Sequence, residues 1–415
     1  MAQLSDDCFA FGSAPMPLAQ AAAELRARLA AVPETEAVLV ADADGRVLAE
    51  ALAAPISLPP FDNSAVDGFA VRHADLNPAG ETALPVVARV AAGQAAPHLP
   101  PRSAIRIFTG APLPDGADTV FMQEDTHLDG ATVVLPAGLA RFANTRQTGE
   151  DLAVGAVALP AGQVLRPQDL ALAAALGCAT LPVRRRLRVA VFSTGDELAP
   201  PGARLDGPRI HDSNRPMLLA LLARAGCLAT DLGILPDRTA ALAAALEHAA
   251  ATHDLLLTSG GVSTGEEDHV KAAVAQVGRL DHWRVAIKPG RPVALGTVRG
   301  AAFAGLPGNP AAVFVTFAHI VRPLLAALSG AAWGPPRAMP VLAGFAYRKK
   351  RDRREYVRVS LRDGPDGPVA EKWPQDGAGV ITSLTGTDGL LELEEARTAL
   401  APGDRVGFLA YAALG

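Results

Sequence analysis

The sequence predicts a multidomain chain of the α/β plus β class: a doubly wound α/β domain in its second half, a β-rich segment before it and a small C-terminal β-barrel. Three observations predict this. Between Leu187 and Ala326, strand-like runs at 187–192, 228–232, 254–258, 283–287, 293–297 and 301–305 alternate with helical runs at 213–225, 239–251, 268–277 and 310–327, the rhythm of an α/β sheet. Between Pro55 and Asp151 short apolar runs are separated by Gly/Pro turns, which reads as strands. A length of 415 residues exceeds one ordinary core, so two to four domains of roughly 100–200 residues each are expected.

The elements follow in order. Leu18, Ala22, Leu25 and Leu29 recur at helical spacing opposite Glu24, Arg26 and Arg28, predicting an amphipathic helix within 17–32. The β-rich segment holds 85–90, 105–108, 119–122 and 132–135 as strands. Residues 152–183 return to an apolar segment, helical around Asp169–Leu176, and Arg184-Arg-Arg186 marks a boundary. After Trp333-Gly-Pro-Pro336, the runs Val341–Tyr347, Glu355–Leu361, Leu390–Leu393 and Arg405–Tyr411 suit a small barrel.

Composition excludes several functions. With 38 basic against 43 acidic residues and a net charge of −5, there is no basic field to hold nucleic acid. Cys8, Cys178 and Cys227 are scattered without CxxC spacing, which argues against a disulfide framework or structural zinc and suits a reducing cytoplasm. No basic leader precedes an apolar core at the N-terminus, and no run of about 18 uncharged apolar residues follows, so a soluble cytoplasmic protein without a membrane partner is expected. The nine histidines show no HxxxH spacing and read as structural.

Open α/β sheets bind ligands beyond the carboxyl ends of their strands, and four loops there are polar or glycine-rich. Ser193-Thr-Gly-Asp-Glu197 brings hydroxyls, a glycine (Gly195) and two carboxylates, or is simply an acidic turn. Ser259-Gly-Gly-Val-Ser-Thr-Gly265, with Gly260, Gly261 and Ser263, can turn backbone amides toward an oxyanion. It is not a Walker loop. The acids Glu266, Glu267 and Asp268 that follow also make good helix N-terminal residues. Lys288-Pro-Gly-Arg-Pro292 sets Lys288 and Arg291 on a stiffened turn, suited to fixing an anion. Gly305-Leu-Pro-Gly-Asn-Pro310, with Pro307, Gly308 and Asn309, is a glycine loop or a tight strand-to-helix turn. Asp196, Glu197, Asp237, Glu266, Glu267 and Asp268 near one rim suggest a hard cation such as Mg²⁺, which takes one or two carboxylates together with ligand phosphates. Phosphoanhydride chemistry with Mg²⁺ is expected before any redox role.

Phe61-Asp-Asn-Ser-Ala-Val-Asp-Gly-Phe-Ala-Val71, Thr109-Gly-Ala-Pro-Leu-Pro114, Ser193-Thr-Gly-Asp-Glu-Leu198, Ser259-Gly-Gly-Val-Ser263 and Gly305-Leu-Pro-Gly-Asn-Pro310 resemble, in order along the chain, the molybdopterin molybdenumtransferases, the family of MoeA and the gephyrin E domain. The resemblance implies a split helical domain (17–54 with 152–183), an inserted β-rich domain (55–151), a MogA-like α/β domain (184–332) and a C-terminal β-barrel (333–415), in a homodimer whose cleft uses both chains. It implies small-molecule substrates, adenylylated molybdopterin and molybdate, with Mg²⁺ assisting, AMP released and molybdenum left on the dithiolene. A transient contact with a MogA-type adenylyltransferase is a further implied partner.

Residue by residue, Asp67 and Thr109 match functional positions of the inserted domain, serving the partner's cleft. Glu197, Asp237 and Asp268 match acidic positions that bind Mg²⁺ or orient the pyrophosphate, and Asp151 resembles another. Ser193, Thr194, Gly195, Ser259, Gly260, Gly261, Ser263, Pro307, Gly308 and Asn309 fall in the substrate loops. Lys288 and Arg291 match a cationic pair whose second member is often Lys, and Arg358 resembles a barrel residue that reaches the oxyanion. Two further departures stand out: Val66 where Met is usual, and Ala378 near a position that is often Ser. Competing readings are a MogA-type molybdopterin adenylyltransferase and a gephyrin-like scaffold.

Overall fold

The structure, a computed structural model, describes residues 15–261 and 269–414. The N-terminal helix Leu18–Arg28 buries Leu18, Ala21 and Leu25, one face of a helix, and these join the core of the α/β domain. Strand Thr35–Leu39 pairs antiparallel with Thr180–Arg184, and Leu52–Ala53 with Val157–Leu159. The chain therefore leaves this region and returns to it after the insertion. Its own core is formed by Leu48, Leu159, Leu165 and Val183 with neighbours from helix Pro167–Ala175.

The insertion is a six-stranded sheet in the order Thr119–Met122, Gly68–Val71, Ala104–Ile107, Thr82–Val90, Thr132–Leu135, His127–Asp129. A Cβ on Gly68 would lie 1.7 Å from the Phe121 carbonyl oxygen, so only glycine allows this strand pairing. That close approach seats Asp67 at the strand's start.

The α/β domain contains, in chain order, β1 (Arg188–Thr194), α1 (Asn214–Arg224), β2 (Leu228–Leu235), α2 (Thr239–Ala250), β3 (Leu255–Ser259), α3 (His269–Val277), β4 (Gly278–Arg284), β5 (Pro292–Val298), β6 (Ala301–Leu306), α4 (Pro310–Thr316) and α5 (Arg322–Ser329). The sheet order is β2-β1-β3-β6-β5-β4. The first four strands are parallel and the last two antiparallel. Val189, Val191, Leu255 and Leu257 feed one core and Ala190, Phe192 and Leu256 the other, which is why these strands are apolar at every position.

One expectation fails here: 283–287 is not a strand. β4 ends at Arg284, and after it Val285, Ala286 and Ile287 are buried where the chain crosses to the barrel, Ile287–Lys288 pairing parallel with Arg354 and Glu355. The apolar run marks a domain crossing. Residues 310–329 form one helical run with a π turn at Phe317–Val321. It is long and apolar enough to cross a bilayer, but 83% of its most apolar window is buried inside the protein.

The barrel is built from β7 (Met339–Ala343), β8 (Arg354–Arg362), β9 (Val369–Lys372), β10 (Gly389–Leu393) and β11 (Arg405–Ala410). The order β8-β9-β7-β11-β10 closes through pairing of β10 with β8. Strand β9 has only two apolar residues and no expectation covered it. Val357, Val359, Leu391 and Phe408 fill the interior.

Candidate active site

The carboxyl edge of the α/β sheet and the side of the barrel enclose a cavity of about 600 Å³. Of the residues singled out in the sequence, Gly260, Gly261, Lys288, Arg291, Pro307, Gly308, Asn309 and Arg358 line it, as does Ala378. The α/β wall is shaped by glycines. Gly260 and Gly261 both hold positive φ, +87° and +63°, and a Cβ on Gly261 would lie 2.5 Å from Val270 Cγ2, whereas one on Gly308 would meet Gly260 Cα at an ordinary contact distance of 3.8 Å, so it is the Gly260–Gly261 turn that requires glycine. Asn214 Nδ2 donates to the Gly308 carbonyl at 2.6 Å, fixing the second loop from α1.

Lys288 and Arg291 flank a turn locked by packing. Gly290 has φ +116°, and a Cβ there would meet Thr316 Cγ2 at 2.6 Å, so the turn sits directly on α4. Lys288 Nζ lies 3.3 Å from Glu355 Oε2 and 3.4 Å from Tyr347 Oη, whose hydroxyl donates to the same carboxylate at 2.9 Å. Arg353 binds Glu355 Oε1 from the other side at 2.6–2.7 Å. Glu355 is 1% exposed, a buried anion between two cations. Burial, and then the Glu355 charge, push the Tyr347 phenol well above its usual range, keeping it a neutral donor.

Arg358 donates from Nη2 to the Gly377 carbonyl at 2.9 Å, while its Nε is buried without a partner among the described residues. Burial lowers its pKa; a desolvated guanidinium with an unused N–H favours an arriving anion. Trp373 completes this wall, its amide nitrogen donating to the Arg358 carbonyl at 3.0 Å.

Tyr347, Glu355, Tyr356, Lys372, Trp373 and Asp376 line the cavity without having been foreseen. One signal was available. On β8, Glu355, Val357 and Val359 share a face at a spacing of two, so a lone carboxylate stood at a position otherwise apolar.

Ser193, Thr194 and Ser259 sit at neighbouring strand ends, Ser193 opposite Ser259 and Ser259 opposite Leu306. All three are buried, and neither Ser193 Oγ nor Thr194 Oγ1 has a partner among the described residues. They lie beside the cavity rather than on its surface. A Cβ on Gly195 would fall 2.4 Å from Glu197 Oε2, so the Glu197 carboxylate folds back over that glycine. Thr194 is the register partner of Leu235, and the loops bearing Glu197 and Asp237 leave adjacent strands. Neither acid lines the cavity. Ser263 and Asp268, with Glu266 and Glu267, lie outside the described residues.

Asp67 and Thr109 come together as a unit: the Thr109 amide and hydroxyl both donate to Asp67 Oδ1 at 2.8 Å. Those two donors hold the Asp67 carboxyl below its ordinary value. The pair stands on the inserted domain and does not line the cavity of its own chain.

Glycine loops on an α/β edge facing a cationic barrel wall define an enzyme site for an anionic substrate that is gripped from two domains. The chain matches the models of the MoeA N-terminal region (domain I and II) over residues 16–177, of a probable molybdopterin binding domain over 190–327, and of the MoeA C-terminal region (domain IV) over 340–411. It is 37% identical to the molybdopterin molybdenumtransferase of Haemophilus influenzae, covering 94% of this chain and 97% of that one. It is also 37% identical to molybdopterin molybdenumtransferase 2 of Mycobacterium tuberculosis, over 89% and 93% of the two chains. The crystal structure of a molybdopterin biosynthesis MoeA protein from Pyrococcus horikoshii OT3 superposes with a TM-score of 0.81 at 29% identity, covering 96% of this chain and all of that one. The chain belongs to the molybdopterin molybdenumtransferase family.

Proposed function

We propose that this protein transfers molybdenum from molybdate to adenylylated molybdopterin, breaking the phosphoanhydride, releasing AMP and leaving the metal on the dithiolene sulfurs. The observation that carries the reading is the single cavity that joins the Gly260 and Gly308 loops to Lys288, Arg291 and Arg358. Both substrates are oxyanions. Backbone loops bind a phosphate without a bulky side chain in the way, while the three cations are placed to hold charge that shifts during transfer. Ser193, Thr194 and Ser259 support the loops from the strand ends beneath.

The acidic loops fit Mg²⁺. Glu197 and Asp237, on loops that leave adjacent strands, offer only hard oxygen donors, and among the described residues no three His, Cys, Asp or Glu side chains converge as a closed metal site; by sequence Asp268 would add a third carboxylate. An ion held there would complete its shell with substrate phosphate oxygens, as Mg²⁺ usually does, and would neutralise pyrophosphate charge. Asp67 and Thr109 would act in the cleft of a second copy, making the working unit a homodimer. Support for that is their pairing away from their own chain's cavity, and the apolar side chains Ile56, Val154 and Val157, which are 40%, 62% and 62% exposed on adjoining segments. The division into 17–54 with 152–183, 55–151, 184–332 and 333–415, a cytoplasmic setting and a transient contact with a MogA-type adenylyltransferase belong to the same proposal.

The test is AMP release. Purified protein given adenylylated molybdopterin, Mg²⁺ and molybdate should release AMP, and should release little without molybdate. Adenylylation of molybdopterin from ATP, without molybdate-dependent AMP release, would count against the reading. A dimer in sedimentation, and loss of activity in Asp67→Asn that is restored by mixing with Lys288→Ala chains, would support the shared cleft.

A further inference from the structure

The α/β sheet has a second edge. Leu187, just before β1, and Cys227, just before β2, line a cavity of about 460 Å³ at the amino ends of the strands, between the split domain and the linker to the barrel. β1 is 7 residues long, so at about 3.3 Å per residue the cavity lies roughly 20 Å from the strand ends that carry the glycine loops. Its volume falls within the range of small-molecule sites, about 300–1,000 Å³.

The walls of this cavity carry six arginines, two of which are already neutralised: Arg46 by Glu36, and Arg185 by Asp254 and Glu34. Arg184, Arg186, Arg224 and Arg322 have no carboxylate within ion-pair distance among the described residues. Arg184 reaches only the carbonyls of Val32 and Pro33, Arg186 that of Gly226, and Arg322 that of Ala413. Exposed Asp44 is the one carboxylate among the lining residues. Arg322 lies 5.4 Å from the centroid of the Trp333 ring and is buried enough that desolvation lowers its pKa. A desolvated cation without a counter-ion, as Arg322 is among the described residues, is costly, and four guanidiniums around one cavity repel one another. A multivalent oxyanion relieves both effects, and guanidinium forks suit phosphate in particular.

We propose that this cavity is a second anion site, which takes a phosphate-bearing organic molecule of nucleotide size. The phosphate lies among Arg186, Arg224 and Arg322, and a planar ring lies against Trp333. A bare tetrahedral oxyanion would leave most of the volume and the aromatic wall unused. The site lies on the opposite edge of the sheet from Lys288, and its assignment stands whether or not the transfer chemistry proposed there is correct.

Calorimetric titration tests it, with AMP and inorganic phosphate as probes, on a Lys288→Ala/Arg291→Ala protein so that the first cavity contributes little. One AMP is expected to bind per chain, at least tenfold more tightly than phosphate. Adding Arg186→Glu and Arg224→Glu, both at exposed positions, should weaken AMP at least tenfold. Trp333→Leu, a second route should the charge reversals fail to fold, should weaken AMP while leaving phosphate affinity unchanged. No AMP binding to the Lys288→Ala/Arg291→Ala protein, affinity indifferent to the arginine reversals, or equal affinity for AMP and phosphate would each overturn the proposal.

Discussion

The two walls of the Lys288 cavity are built by different means. The α/β wall is backbone: Gly260 and Gly261 hold positive φ, Gly261 has no room for a side chain beside Val270, and Asn214 pins the Gly308 loop. The barrel wall is side chain: Glu355, buried, collects Arg353, Tyr347 and Lys288, while Arg358 stands beside them with a donor that no described residue uses. A backbone wall is rigid and recognises shape. A side-chain wall supplies charge, at the cost of burying ions that must hold one another in place. Substitutions should therefore fail differently on the two sides.

The largest effect is expected for Glu355→Ala. Removing the buried anion leaves the partly buried Arg353 without its partner, and breaking a fully buried pair costs about 3–5 kcal/mol, an upper bound here that is readable in a urea melt. A wild-type midpoint would show that the barrel wall does not depend on this carboxylate. Next comes Arg358→Ala. Losing a preorganised donor at a developing anion lowers turnover about 10²–10³-fold, measured as AMP release, with little change in melting temperature. Arg358→Lys should recover only part of it, because a point charge does not reproduce the fork.

On the backbone wall the prediction is reversed in kind. Gly290→Ala places a methyl 2.6 Å from Thr316 Cγ2 at a φ of +116°, and overpacking of this sort costs about 1–3 kcal/mol. Stability and substrate KM should suffer together as the Lys288–Arg291 turn shifts. The smallest effect at neutral pH is expected beneath the cavity, at His319. This ring stacks on Tyr356 at 4.2 Å, and burial pushes its pKa down to about 3. The folded state keeps it neutral while the unfolded chain binds a proton below about pH 6.5. Its contribution is thus present above pH 6.5 and is lost progressively as pH falls toward 3. His319→Gln should flatten the acid limb of the stability curve by up to one proton.

The same contrast explains what could be read from the sequence. The parallel strands were legible because burial on both faces makes them continuous apolar runs, and the glycine loops because Gly and Pro write backbone geometry directly into sequence. The barrel wall was only partly legible. Arg358 was reached by family resemblance, but Tyr347, Glu355 and the 372–377 segment come from separate places that only closure of the barrel brings together. The misread run 283–287 has the same origin: Val285, Ala286 and Ile287 are apolar because two domains meet over them, a cause that periodicity cannot distinguish from a strand. Asp67 and Thr109 were reached one by one through family resemblance, and the hydrogen bonds that join an aspartate to a threonine far apart in sequence were not legible.

The proposed molybdenum transfer takes place where these two walls meet, and Lys288 is the residue that touches both, paired with Glu355 of the barrel while standing on the α/β turn. The most direct measurement is single-turnover AMP release from adenylylated molybdopterin with saturating molybdate and Mg²⁺, comparing wild type with Lys288→Ala. A loss of about 10²-fold or more is expected, of the size that follows removal of a preorganised charge from a transfer site, in a variant that still folds. Equal rates in the two proteins would contradict it.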